Sequence, residues 1–351
     1  MQASDVSGLV DSLSGLSLSE RYVKKVTNVH QDDVHALVQL PGGEIVSGSK
    51  DTTIAIWNTH LDCLKRLNPA PRGNYEHWVT ALAVFPNGSF ISGSRKGMLY
   101  FWSADYRLLS QKSVQQWVKN GGGHVCKERN RVRINCLQPI PNSNNLFLAG
   151  LPTKIQTWNS ARSQRYNEAV VSQNDWLYCI KPLLEHKFAL IIGSDIAVWE
   201  NKTDNGRSWY FAPKETVYHE NPEEVVGRQR PHIASAEFID DTVLALALFS
   251  GHVKLFDLNE CRVASSIKGH EGRVWTVCPM GPNTVISGAD DQVVKVWDVR
   301  MSSCVHTFGK HSGRVSNVLQ LGENQIIAAA CPSDPYASEE KASFTIWDVR
   351  V

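Results

Sequence analysis

The chain has no apolar stretch near the roughly 18 residues that a membrane-spanning helix needs, and residues 1–19 lack both a basic start and an unbroken apolar run. Neither a helical membrane anchor nor a secretory leader is expected. An excess of charge is also missing. Against 36 Lys and Arg stand 35 Asp and Glu, a formal net charge of +1, so no global field draws the chain to nucleic acid or to an anionic membrane, and any such contact needs a local patch. The eight cysteines include no CxxC pair, which excludes a zinc module or a small disulfide scaffold and points to a reducing compartment, the cytosol or nucleus. His124 and Cys126 are two metal-capable residues, but with no second pair nearby they fall short of the four ligands of structural zinc. No HExxH, GxSxG or phosphate-binding glycine loop occurs, so no catalytic residue, metal site or cofactor is assigned.

Hydrophobic residues make up 42% and charged residues 20% of the chain, a composition that folds. Its 351 residues allow two domains or one large repeat unit. Tryptophan, at 11 residues, is in excess.

Six of those tryptophans and one phenylalanine fall into a register. Apolar, β-branched runs end at Trp57, Trp102, Trp158, Trp199, Phe256, Trp297 and Trp347, with spacings of 45, 56, 41, 57, 41 and 50 residues. Upstream of most lies a second apolar run closed by small residues, as in EIVSGS (44–49), SFISGS (89–94) and TVISGA (284–289), and a third run precedes that one. The recurring SGS strings read as turns. Each aromatic is followed by a further strand, as in CLKRL from Cys63 and CVHTF from Cys304. Four short strands per unit, separated by Gly, Pro, Asn or Asp, predict antiparallel meanders.

Two units share a polar set at identical intervals: His30, Ser47, Asp51 and Trp57, and again His270, Ser287, Asp291 and Trp297. A histidine in the entry turn, a serine on the second strand, an aspartate in the next turn and an indole N–H can satisfy one another inside a sheet, so the set reads as structural. Unit 2 has Tyr75 and Lys96 at the His and Asp positions. Unit 7 keeps His311 but has Ala328 for the Ser and an insertion of about nine residues near 331–341.

On these motifs, residues 20–351 resemble the WD-repeat β-propeller family. The resemblance implies an all-β, seven-bladed propeller preceded by a tail (1–19), which is either mobile or an amphipathic segment spaced by Leu9, Val10, Leu13, Leu16 and Leu18 that orders against a partner. The chain ends after the third strand of the last unit, so the strand-like segment at 21–29 is expected to complete blade 7 and close the ring. Function is then expected of a non-catalytic scaffold or adaptor. In this family partner contacts gather where the innermost strands begin: at the residue before the first apolar position, the residue after it, and the residue before the turn Asp. Carried onto this chain, those positions are Asp33, His35 and Lys50; Trp78, Thr80 and Arg95; Arg133 and Asn135; Trp176 and Tyr178; His232; Arg273, Trp275 and Asp290; Arg314 and Ser316.

That set is basic and aromatic, the chemistry of a groove for a protein partner carrying an acidic or phosphorylated peptide. Glutamate at Arg95, Arg133, Arg273 and Arg314 is expected to abolish capture with the fold intact. The repeated WDVR (Trp297 to Arg300, Trp347 to Arg350) resembles that of substrate receptors of cullin-RING ubiquitin ligases, which implies adaptor contacts by Arg300 and Arg350. An RNA-associated propeller is the alternative of another class; near-neutral charge argues against it. Segments 119–131 and 216–231, and with them Trp117 and Trp209, read as exposed connections. Cys63, Cys261 and Cys304 read as a repeated, partly buried strand position.

Overall fold

The computed structural model describes residues 22–69, 77–115, 117–119, 125–127, 132–172, 175–183, 187–204, 208–219, 232–281, 283–332 and 338–349. The tail 1–19, Tyr75, His124 and Arg350 lie outside them. No α-helix occurs among the described residues; the strands form seven four-stranded antiparallel sheets and one small hairpin. Blade 1 runs from its innermost strand outward as Val34–Gln39, Ile45–Ser49, Ile54–Trp57 and Cys63–Leu67. Blades 2 to 6 repeat this order over 79–113, 136–170, 177–219, 233–268 and 274–308. Blade 7 is assembled from both parts of the chain: Arg314–Leu321, Gln325–Cys331 and Ala342–Asp348, and outermost Tyr22–His30, which pairs antiparallel with Ala342–Asp348 (Val26 opposite Phe344, His30 opposite Ala342). The ring closes as expected, by hydrogen bonds between strands far apart in sequence.

Seven apolar clusters hold the ring, one at each junction of neighbouring blades. At the closure, Val29, Ile327 and Phe344 of blade 7 pack on Val34, Ile45 and Trp57 of blade 1, and the other clusters do the same for successive pairs. Each sheet is therefore covered on both faces. Its second and third strands are largely buried, completely so in Ile45–Ser49 and Ile54–Trp57, which is why they read as continuous apolar runs rather than alternating ones. Outermost strands such as Leu108–Ser113 face solvent.

Four expectations need correction. The SGS strings are not turns: Ser47, Gly48 and Ser49 lie within a buried strand. A Cβ at Gly48, Gly93 or Gly288 would stand 2.4, 2.6 and 2.4 Å from Val79, Ile134 and Val315, each on or at the start of the next blade's innermost strand. Glycine is there because the neighbouring blade approaches closely. Cys63, Cys261 and Cys304 are exposed, since they sit on or beside outermost strands that nothing covers. The segment 119–131 is not wholly loop, because Trp117–Lys119 pairs with Val125–Lys127. Thr216 to His219, and Trp209 with them, belong to the strand Ser208–His219, which makes a long hairpin with Asp195–Asp204.

Candidate functional site

The two polar sets of identical spacing behave as structural units. His30 Nε2 meets Ser47 Oγ at 2.7 Å and its Nδ1 meets Asp51 at 3.0 Å, while Trp57 Nε1 donates to the same Ser47 Oγ at 2.8 Å. In blade 6, His270 meets Ser287 at 2.7 Å and Asp291 at 2.8 Å, and Trp297 Nε1 donates to Ser287 at 2.7 Å. The hydrogen bonds from His30, Thr53 and the Gln31 amide hold the Asp51 carboxyl far below the usual carboxylate range. Blade 2 keeps the indole-to-serine bond (Trp102 to Ser92, 3.0 Å) and blade 3 replaces the serine with Gln156 (Trp158 Nε1 to Oε1, 3.0 Å). Blade 7, with Ala328, leaves His311 Nε2 and Trp347 Nε1 buried without partners.

At the end of the channel where the innermost strands begin, the ring gathers its equivalents. His35, Thr80, Asn135, Tyr178, Ala234, Trp275 and Ser316, the residue after the first apolar position in blades 1 to 7, all line one cavity of about 370 Å³, with Arg133, Trp176, Phe249, Arg314 and Asn317 beside them. Side chains alternate across a strand, so that single register position points every one of them toward the channel mouth.

Some of these residues are committed to joining blades. Asn135 Nδ2 donates to Leu177 O (2.7 Å), Thr80 Oγ1 to Ile134 O (2.5 Å), and Ser316 Oγ and Asn317 Nδ2 to Val34 O (both 2.8 Å). Asp33 is buried and ion-paired with Arg314 across the closure. A glutamate at 314 would face Asp33, so the expectation that all four arginines tolerate reversal is corrected: like charges replace an ion pair at the seam. Asp290 accepts from Trp275 Nε1 at 2.6 Å.

The remaining side chains are cationic or aromatic. Lys50 Nζ and Arg95 Cζ lie 5.0 and 4.1 Å from the Trp78 ring centroid, and Lys50 also pairs with Asp32 at 3.1 Å. Arg273 stacks on Phe249 (5.4 Å) and Arg314 on Trp275 (5.4 Å). His35 sits in the field of Arg133, Arg314, Lys50 and Arg95; burial first, and then these charges, push it down to about 3, so it is neutral. Burial and Arg95 also lower Arg133. Arg300 lies elsewhere, exposed in the turn after Trp297 and paired with Asp298 at 3.2 Å.

Sequence reasoning missed Phe249 and Asp32. Phe249 N bonds His232 O as Lys50 N bonds Asp33 O and Arg95 N bonds Trp78 O, so it holds blade 5's position before the turn. Ser250 stands there in place of the aspartate that marks the position in blades 1 and 6.

The repeat family WD domain, G-beta repeat, matches residues 22–58, 63–103 and 261–298. Each match begins on one blade's outermost strand and ends with the third strand of the next, the same phase that closes the ring. The chain is 32% identical over 76 residues, 22% of its length, to the WD repeat-containing protein pop1 of Schizosaccharomyces pombe, and 26% identical over 105 residues, 29% of its length, to Cell division control protein 4 of Saccharomyces cerevisiae. These matches span 10% and 12% of the two relatives. With three repeats matched in phase and four further sheets of the same strand order, the chain has the fold of a seven-bladed WD-repeat β-propeller.

Proposed function

We propose that this chain is a non-catalytic scaffold of the cytosol or nucleus that holds a protein partner, through an acidic or phosphorylated segment, at the basic and aromatic channel mouth. WD-repeat propellers are typical protein-interaction scaffolds. The observation that carries the narrower reading is charge. Arg133 and Arg314 line the cavity, and Lys50 and Arg95 stand over the Trp78 ring, within the field of the cavity's His35; of the four, only Lys50 and Arg314 have carboxylate partners among the described residues. Cations without counterions, next to large aromatics, form the kind of patch that anchors a partner. Affinity purification from the source cells tests it. Arg95→Glu with Arg133→Glu is expected to lose the partners that the wild type retains, with an unchanged melting temperature; retention of the same partners would overturn the reading.

A second contact surface is read from the WDVR repeat. Arg300 reaches solvent with 69% of its side chain exposed, open to a docking protein such as a cullin-RING ligase adaptor. A pull-down with that adaptor should weaken for Arg300→Ala combined with Arg350→Ala. Binding of RNA would instead show a steep salt dependence, which this near-neutral chain is not expected to have.

A further inference from the structure

The cavity is lined differently on its two sides. Blades 4 to 6 contribute Tyr178, Phe249 and Trp275, linked edge to face at 6.4 and 5.0 Å. Arg133 of blade 3, Arg314 of blade 7 and His35 of blade 1 form the other side. The sides meet where Arg314 stacks on Trp275 and where Arg133 and Tyr178 interact electrostatically.

The cationic side is out of balance. Lys50 has Asp32 and Arg314 has Asp33, whereas Arg95 and Arg133 have no carboxylate among the described residues and lie close enough to repel each other. Arg133 Nε and His35 Nε2 are buried with no hydrogen-bond partner. Arg95 at the exposed rim and Arg133 in the cavity wall repel each other beside two idle polar atoms, and an anion carrying two charges and several acceptor oxygens relieves both.

Resting on the protein-binding reading above, we infer that the cavity takes one phosphorylated tyrosine side chain of the partner, its phosphoryl group between Arg95 and Arg133 and its ring against Phe249 and Trp275. Its volume of about 370 Å³ suits one large side chain rather than a folded element. A phosphoserine or phosphothreonine reaching the same arginines is too short to cover the aromatic side. An unphosphorylated tyrosine leaves both guanidinium charges unanswered. Only a group that is aromatic at one end and doubly anionic at the other meets both walls.

The test uses the full chain, immobilised, and three peptide pools with degenerate flanks around a fixed phosphotyrosine, phosphoserine or tyrosine. The phosphotyrosine pool is expected to be retained, and a sequence recovered from it should bind about tenfold or more tighter by fluorescence anisotropy than its phosphoserine and tyrosine versions. Arg133→Gln and Phe249→Ala should each weaken it by about tenfold, and Arg95→Gln, on an exposed side chain, serves as the variant least able to disturb folding. Melting temperatures confirm that each variant is folded. Equal retention of the phosphoserine pool, retention of no pool, insensitivity to Phe249→Ala, or displacement by AMP at the peptide's own concentration would each overturn the inference, the last in favour of a small nucleotide. If partner capture from cells depends on Arg95 and Arg133 while phosphotyrosine is not preferred, this inference alone fails; if capture ignores both arginines, the scaffold reading fails with it.

Discussion

Ala328 shows what the serine of the polar set does. It faces Thr345 across the strand pair as Ser47 faces Ala55, and His311 and Trp347 stand as their blade 6 counterparts do, edge to face at 5.9 Å against 5.8 Å. Without the hydroxyl, a buried imidazole nitrogen and a buried indole N–H go unpaired. Ala328→Ser should satisfy both, adding about 1 kcal/mol and raising the melting temperature by about 1 to 2 °C in a chain of this size. The reverse change, Ser287→Ala, should destabilise by about 2 to 3 kcal/mol because it orphans the same two groups in blade 6. Thermal melts of the two variants decide it, and equal effects of the same sign would refute the hydrogen-bond account.

The same histidine sets part of the acid stability. Burial, and then Lys25, lowers His311 from 6.5 to about 4. Between those values the unfolded chain takes up a proton that the folded chain refuses, so stability falls as pH drops from about 6.5 to 4, by at most about 1.4 kcal/mol per pH unit for this group. Asp51 and Asp291, held low by His30 and His270, add a second loss that sets in as pH falls through the ordinary carboxylate range and continues below it. In His311→Gln, denaturant titrations should therefore give a shallower decline between pH 6.5 and 4 and an unchanged one below it.

Among the strands, the glycines of the second position govern how closely blades pack. At Gly93 a methyl group would lie 2.6 Å from Ile134 Cγ2 and 2.9 Å from its Cβ, an overlap that only a shift between blades 2 and 3 can relieve. Gly93→Ala should lower stability by about 1 to 3 kcal/mol. Gly309, where nothing lies within 4 Å of the added carbon, is the control, with an effect of alanine within about 0.5 kcal/mol. Both are read from chemical denaturation midpoints. The small residues in SGS were legible in the sequence but their purpose was not, since a turn glycine and a close-contact glycine look alike until the neighbouring blade is in place. Phe249 was hidden for a related reason: the position is defined by a backbone bond to His232, and the aspartate that flags it in other blades is absent.

For the molecule as a whole, one strand carries the closure. Tyr22–His30 supplies the outer edge of blade 7, and it delivers Val29 to the core between blades 7 and 1 and His30 to the polar set of blade 1. Deleting residues 22–30 removes all three at once and leaves the strand Ala342–Asp348 as an open edge. The truncated chain should show no cooperative melt at the wild-type temperature and should aggregate on size-exclusion chromatography; a monomer with the wild-type melting profile would show that closure is dispensable.

The repeat was readable from the residues because its signals are local. A β-branched run ending in an aromatic, a small-residue pair before it, and a histidine, serine and aspartate at set intervals all lie within one blade, where strand periodicity and short turns dictate who meets whom. Blades lacking the polar set were still legible, since burial on both faces imposes continuous apolar runs. What the linear pattern does not contain is the meeting of separate blades. Arg314 pairs with Asp33 across 281 positions, Asn135 and Thr80 join neighbouring sheets, and Phe249 and Arg133 come to opposite sides of one cavity only when seven innermost strands converge. Whether a cation at the mouth is spent on a seam or left for a partner depends on which carboxylates the closed ring brings within reach, and sequence spacing carries no information about that distance.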